Sequence, residues 1–259
     1  MVDNSRMLAF YDRETAAFPA LLSVGGDVVI SGNAARELDG FHQLRRIGAN
    51  AGSPVSPGGI DGGGNLIISD SPALQSLTRE TPVTILGVLL EASPSPPPLL
   101  RAFGSLEAVR GAVEISRNDG LRTIRGALRR LMYVSREIRV RNNPLLQLIA
   151  SSFSLLDSVG TGLYVVENPS LAKISKCFLV LRVVGGDMQL SGNIALIAMD
   201  AGTLNGLIQV GAHLTNCDRV AAIQKAPEEV VASEHEGAIY VQCGRDDHIT
   251  ISTLRHFSV

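Results

Sequence analysis

The chain holds 259 residues with a formal net charge of −2, 45% apolar residues, only 4% aromatics and no Trp. The near-neutral balance argues against a nucleic-acid binder or a polybasic membrane protein, and no apolar run approaches the roughly 18 residues of a spanning helix. Three Cys at irregular spacing exclude a disulfide-dense scaffold and a four-Cys zinc site, so an aliphatic core must hold the fold.

Residues 1–17 are expected to form an N-terminal cap, and Met1–Arg6 lacks the charged-then-apolar pattern of a signal peptide. A first apolar-x-apolar strand with a following Asn is Val28-Val29-Ile30 with Asn33. A Gly- and Pro-rich inserted loop covers 51–64, and Leu66-Ile67-Ile68 with Ser71, Leu74 and Leu77 is the next copy. Val88-Leu89-Leu90 with Ser93 and Leu99 is a degenerate third, followed by a Pro-broken loop within 91–98.

From residue 111 the pattern becomes regular. Val113-Glu114-Ile115 precedes Asn118, Leu121 and Ile124; Ile138-Arg139-Val140 precedes Asn143, Leu146 and Ile149. Leu163-Tyr164-Val165 precedes Asn168, Leu171 and Ile174; Met188-Gln189-Leu190 precedes Asn193, Leu196 and Met199. Ala212-His213-Leu214 with Cys217 and a weak Ile239-Tyr240-Val241 near Gly244 complete the series. The markers Asn118, Asn143, Asn168, Asn193 and Cys217 lie 25, 25, 25 and 24 residues apart.

A second motif precedes several strands: Phe18-x-x-Leu21-x-x-Val24, Phe41-x-x-Leu44-x-x-Ile47, Phe103-x-x-Leu106-x-x-Val109, Leu128-x-x-Leu131-x-x-Val134 and Phe153-x-x-Leu156-x-x-Val159. Its spacing suits a helical or 3₁₀ turn, or a short second sheet, on the return side of each coil. A fixed period of this length is the signature of stacked coils. One strand cannot bury its apolar face alone, but strands paired about 4.8 Å apart can. The reading is a mainly β, parallel solenoid of about nine coils of ~25 residues with few short helices. The Asn column (Asn33, Asn118, Asn143, Asn168, Asn193, with Cys217) is read as a buried ladder satisfying corner backbone groups, which cost about 1–3 kcal/mol each when unpaired.

These residues carry a resemblance. Phe-x-x-Leu-x-x-Val-x-Gly, followed by apolar-x-apolar, Asn, Leu and Ile, resembles the leucine-rich-repeat-like receptor L domain over residues 18–224, most clearly over 103–199. The resemblance implies a right-handed solenoid and a role in recognition at a cell surface. Residues 225–259 are expected to be a C-terminal coil or cap. The compartment stays open between a cell surface, for a fragment of a longer receptor-like protein, and the cell interior.

The outward mid-strand column, Val29, Ile67, Leu89, Glu114, Arg139, Tyr164, Gln189, His213 and Tyr240, forms one sheet face. Arg139, Arg141, Tyr164, His213, Tyr240 and Glu114 are the expected partner-binding residues, Arg and aromatics being common interface anchors. Residues 101–141 carry ten Arg against four acids, an Arg-rich band suited to a protein or an anionic glycan. Residues 218–248 hold seven acids and three bases, so unlike ends favour homo- or hetero-oligomers.

No catalytic residue, metal site or cofactor is expected. Glu234-His235-Glu236 and Asp246-Asp247-His248 have no metal-ligand spacing. Two other readings stand open. A β-helix carbohydrate-active enzyme needs paired carboxyls, for which the columns offer Glu114 and Glu91. A structural subunit would bury Val29, Ile67 and Leu89 against a neighbour. Cys217 and Cys243 lie on neighbouring copies and could approach each other, and the sequence leaves open whether they are bonded.

Overall fold

The computed structural model describes residues 11–12, 15–16, 18, 20–38, 40–48, 63–78, 102–200, 203–204, 207, 209–210, 214–216, 239–243 and 247–251. Its body is a parallel β-solenoid. A long-strand sheet stacks Val28–Ser31, Leu66–Ser69, Val113–Ser116, Glu137–Arg141, Gly162–Val166, Met188–Ser191 and Leu214–Asn216 in sequence order. A second seven-stranded sheet is built from two-residue strands, from Ser23–Val24 through Tyr133–Val134 to Gln209–Val210. A third holds Thr123–Arg125, Leu148–Ala150, Lys173–Ser175 and Ala198–Met199. Single bridges through Ser76 carry it back to Glu37.

Each coil therefore has three sides and three corners. Alternation along the long strands sends Ile138 and Val140 into the core, both 0% exposed, and leaves Glu137, Arg139 and Arg141 half-exposed. Corresponding side chains stack: Val113, Ile138 and Leu163 are register partners, as are Ile115, Val140 and Val165.

Two corners use the same tight turn. In Asn-x-x-Leu, the Leu N–H donates to the Asn carbonyl: Leu121 to Asn118 at 3.1 Å, Leu146 to Asn143 at 3.1 Å, Leu171 to Asn168 at 3.0 Å. In Phe-x-x-Leu the pattern repeats, Leu44 to Phe41 at 3.0 Å and Leu106 to Phe103 at 3.1 Å. The three-residue spacing thus makes a turn followed by a short second sheet, and no helix occurs among the described residues. The motif also continues beyond the five copies read from sequence, in Phe178-x-x-Leu181-x-x-Val184 and Leu204-x-x-Leu207-x-x-Val210, whose strands extend the short sheet. Phe18, Phe41 and Phe103 form a stacked file with ring centroids 4.9 and 5.2 Å apart, and Phe153 and Phe178 a second pair at 5.4 Å.

The third corner brings backbones together. A Cβ on Gly160 would run into the carbonyl oxygen of Ser135, and one on Gly185 into that of Gly160. Glycine is required there, and Val184-Gly185-Gly186-Asp187 turns the chain into the next long strand.

The coil count and the last rungs differ from expectation. Leu66–Ser69 pairs directly with Val113–Ser116, so Val88-Leu89-Leu90 does not form a rung between them; those residues lie outside the described ones. Ile239–Cys243 packs against Leu214–Asn216 but is not paired into the long-strand sheet; its ladder partner is the antiparallel Asp247–Ile251. Seven paired rungs stand among the described residues, where about nine coils were expected. The copy at Val88 lacks the full Asn-x-x-Leu corner, the element that turns the chain back to the stack. In the seventh rung Met188 pairs with Leu214 and Gln189 with Thr215, two residues away from the expected alignment.

The Asn ladder runs in file inside the first corner. Asn118, Asn143, Asn168 and Asn193 are each 0% exposed. The Nδ2 of Asn118 donates to Oδ1 of Asn143 at 3.2 Å, that of Asn143 to Asn168 at 3.1 Å, and that of Asn168 to Asn193 at 3.2 Å. The same oxygens accept the backbone N–H groups of Asn118, Asn143 and Asn168. Every Nδ2 also reaches a carbonyl of the preceding rung: Ile68, Ile115, Val140 and Val165 in turn.

Ser71 substitutes in the second rung. Its N–H donates to Oδ1 of Asn118, and its Oγ accepts from the N–H of Asn33 at 3.1 Å. Asn33 closes the file differently, with Oδ1 accepting from Ala35 at 2.8 Å and Nδ2 without a partner. The preceding-rung carbonyl that its counterparts use has no equivalent below the first long strand among the described residues. Cys217 lies outside the described residues.

The sequence reading missed a smaller ladder in the second corner. The Oγ of Ser152 donates to Ile124 and Ala150, and the Sγ of Cys177 to Ile149 at 3.6 Å and Ser175 at 3.2 Å. Ser152 and Cys177 stand one period apart and each reaches 28 residues back, the same reach as the Asn amides. That shared reach, together with the Phe that follows each of them, is the signal that marks this column.

Candidate functional site

The outward face of the long-strand sheet gathers four of the six expected binding residues. Arg139 pairs in register with Glu114 on one side and Tyr164 on the other. Its guanidinium carbon lies 5.8 Å from the centroid of the Tyr164 ring, within cation–π range. Its Nη2 lies 3.1 Å from Oε1 of Glu137 on the same strand. Arg141 reaches diagonally to Glu114, Nη2 at 3.0 Å and Nε at 3.2 Å, and Ser116 donates to the same carboxylate at 2.9 Å.

This network sets the protonation of its members. Burial raises the Glu114 pKa, but the hydrogen bonds from Arg141 and Ser116 and the charges of both arginines outweigh it, so the carboxyl lies below its ordinary range. The Tyr164 hydroxyl is pushed up, first by burial and then by Asp187 and Glu137. Glu114 is thus held as a carboxylate and Tyr164 as a neutral phenol.

A missing side chain shapes the centre. A Cβ on Gly162 would sit 2.5 Å from Cε2 of Tyr164. The Tyr ring lies over this glycine, two residues back on its own strand, where the side chain of any other residue would push it upright. The arrangement is a shallow platform of one aromatic ring with Arg139 over it, while Arg141 reaches the other way to Glu114.

The other two expected members are Tyr240 and His213. Tyr240 belongs to the antiparallel hairpin, where it pairs with Thr250. His213 lies outside the described residues, and Thr215 is the residue opposite Gln189. The apolar column shortens as well. Val29 and Ile67 are neighbours, but Glu114 stands next to Ile67 because Leu89 contributes no rung. Glu91, Cys217 and the side chain of Cys243 lie outside the described residues.

The Arg-rich segment is spread around the coil rather than concentrated. Arg139 and Arg141 face out from the long-strand sheet, Arg125 belongs to the third sheet, and Arg129 and Arg130 follow it at the second corner. Several are matched by acids: Arg117 with Asp70 at 2.6 Å, Arg141 with Glu114, and Arg130 with Glu107 at 3.8 Å. Ile194 and Ile197, 83% and 78% exposed, are the most exposed large apolar residues described, and they sit at the first corner, off the platform.

Among the described residues no group of His, Cys, Asp and Glu could hold a metal ion, and no helix is long and apolar enough to cross a membrane. No protein-family model, curated protein or solved structure matches the chain.

Proposed function

We propose that this chain is a non-catalytic recognition module that binds a protein partner on the outward face of its long-strand sheet. The observation that carries the reading is the Arg139–Tyr164 stack: a partly exposed guanidinium and an aromatic ring, restrained by the bare Gly162 backbone and by the ion pair to Glu137. Arg and Tyr are among the side chains most often found at the energetic centre of interfaces. Here their rotamers are restrained before any partner arrives, which lowers the ordering cost of binding. The likeness of the repeat to receptor L domains supports the same role.

The charge pattern selects the kind of partner. Glu114, Glu137 and Asp187 accompany Arg139 and Arg141, so the face is mixed in sign. A polyanionic glycan would meet three carboxylates there, whereas a protein surface can match both signs. The ionised, hydrogen-bonded state of Glu114 also makes it a poor proton donor, which weighs against a glycosidase role.

The test is capture of partners from native extract by the immobilised chain, compared with Arg139→Glu/Arg141→Glu and Tyr164→Ala. A protein retained by the native chain and lost from both variants supports the face. Equal retention by all three overturns it. Turnover on a polysaccharide panel, abolished by Glu114→Gln, would establish the enzyme reading instead.

A further inference from the structure

A groove of about 850 Å³ runs along the first corner, parallel to the solenoid axis and away from the platform. One wall is the column just before the Asn ladder: Asp70, Arg117, Asn142, Glu167 and Gly192. All five have left-handed backbone, φ between 50° and 70°. The other wall is the column just after it: Pro72, Asp119, Pro144 and Pro169. The left-handed residue turns the chain inward so that the Asn side chain is buried, and its two neighbours are left standing as ridges. The groove is therefore a direct product of the ladder.

Its chemistry is uneven. Asp70 and Arg117 neutralise one another at one end, at 2.6 Å. Asp119 and Glu167 are exposed carboxylates on opposite walls, two rungs apart. Rungs repeat at about 4.8 Å, which separates these walls' charges by roughly 10 Å along the axis. An extended peptide advances about 3.3 Å per residue and points successive side chains to opposite sides. Its residues i and i+3 are then roughly 10 Å apart and face opposite walls. The proline ridges supply apolar contact between them, and Asn142 offers an amide to the passing backbone.

We propose that this groove docks an extended segment of a protein partner carrying two cationic side chains at i and i+3. The spacing, the alternation of walls and the sign of the charges all point to that one pattern.

The probe is a fluorescein-labelled hexapeptide of Ala with Lys at positions 2 and 5, titrated with the full chain and read by anisotropy at low salt. A second peptide with Lys at 2 and 4 has the same charge and the wrong alternation. The expected result is saturable binding of the first, about five- to tenfold weaker binding of the second, and a similar loss in Asp119→Asn/Glu167→Gln. Asp157→Asn, which removes a carboxylate beside Ser158–Val159 and away from the groove, should leave the affinity unchanged. The proposal fails if the two peptides bind equally, if the double variant binds like the native chain, or if neither peptide binds. It also fails if Asp157→Asn weakens binding as much as the double variant. Thermal unfolding of each variant confirms that the solenoid is intact, since both wall residues are exposed.

Discussion

The amide of Asn143 donates to Oδ1 of Asn168 at 3.1 Å, and the backbone N–H of Asn143 donates to the same oxygen at 3.2 Å. One side chain of one rung thus serves two donors of another, and its own Nδ2 satisfies Val140 and Val166. Asn168→Ala removes the five hydrogen bonds of this side chain. The expected loss is about 3–5 kcal/mol, read from the urea midpoint. Asn33→Ala removes one bond, to Ala35, and should cost about 1 kcal/mol. Equal losses at the two positions would show that the file does not act as a ladder.

The third corner should discriminate between glycines. Gly185→Ala drives a Cβ into the backbone carbonyl of Gly160, which cannot move without shifting the rung. The cost should be about 2 kcal/mol or more. A Cβ on Gly26 would meet nothing within 4 Å, so Gly26→Ala should change stability by about 0.5 kcal/mol or less. Differential thermal unfolding of the two variants checks the contrast.

Gly162→Ala is a probe of the platform rather than of the fold. Its Cβ would displace the Tyr164 ring, which can swing outward, so the expected change in thermal midpoint is small. The ring proton shifts of Tyr164 in NMR should move, and partner capture should fall. Retained capture with a displaced ring would show that the flat pose is not part of recognition.

Acid should release the Glu114 network. Its folded pKa is lowered relative to the unfolded chain. The corresponding stability is fully present above the ordinary glutamate value and is lost as pH falls through the lowered one. Glu114→Gln should therefore be less stable than the native chain at neutral pH, with the gap closing in the acid range below pH about 4. A gap independent of pH would contradict the assignment.

Cys177 is buried, and burial pushes its thiol up to about 12. Thiolate is the reactive form, so iodoacetamide at mildly alkaline pH should leave Cys177 unmodified in the folded chain and modify it in denaturant. Mass spectrometry of the Cys177 peptide reads the outcome directly.

The stack was legible because its determinants are local and repeat. Val113, Ile115, Asn118 and Leu121 already specify a strand, a buried amide and a turn, and copies 25 residues apart state the register. The Phe-x-x-Leu turn was legible as a turn, while the sheet that follows it was one of two readings, since two-residue strands have no alternation to display. Cys177 was hidden because Ser and Cys share a role in that column without sharing a conspicuous pattern. The short copy at Val88 misled for a physical reason: apolar alternation marks a strand, but only the corner decides which strand it joins. The pose of Tyr164 depends on the absent side chain at Gly162, and the groove depends on left-handed backbone at Arg117, Asn142 and Glu167, residues whose identity does not announce that conformation.

The ladder has a direction. Each amide gives its hydrogens toward the N-terminal carbonyls and toward the next side chain, while each oxygen receives from the Asn before it. The small dipoles of the file consequently add along the axis instead of cancelling. Each rung supplies the side-chain acceptor for the amide of the rung before it, so the donor left over at one end of the file is always met from its C-terminal side.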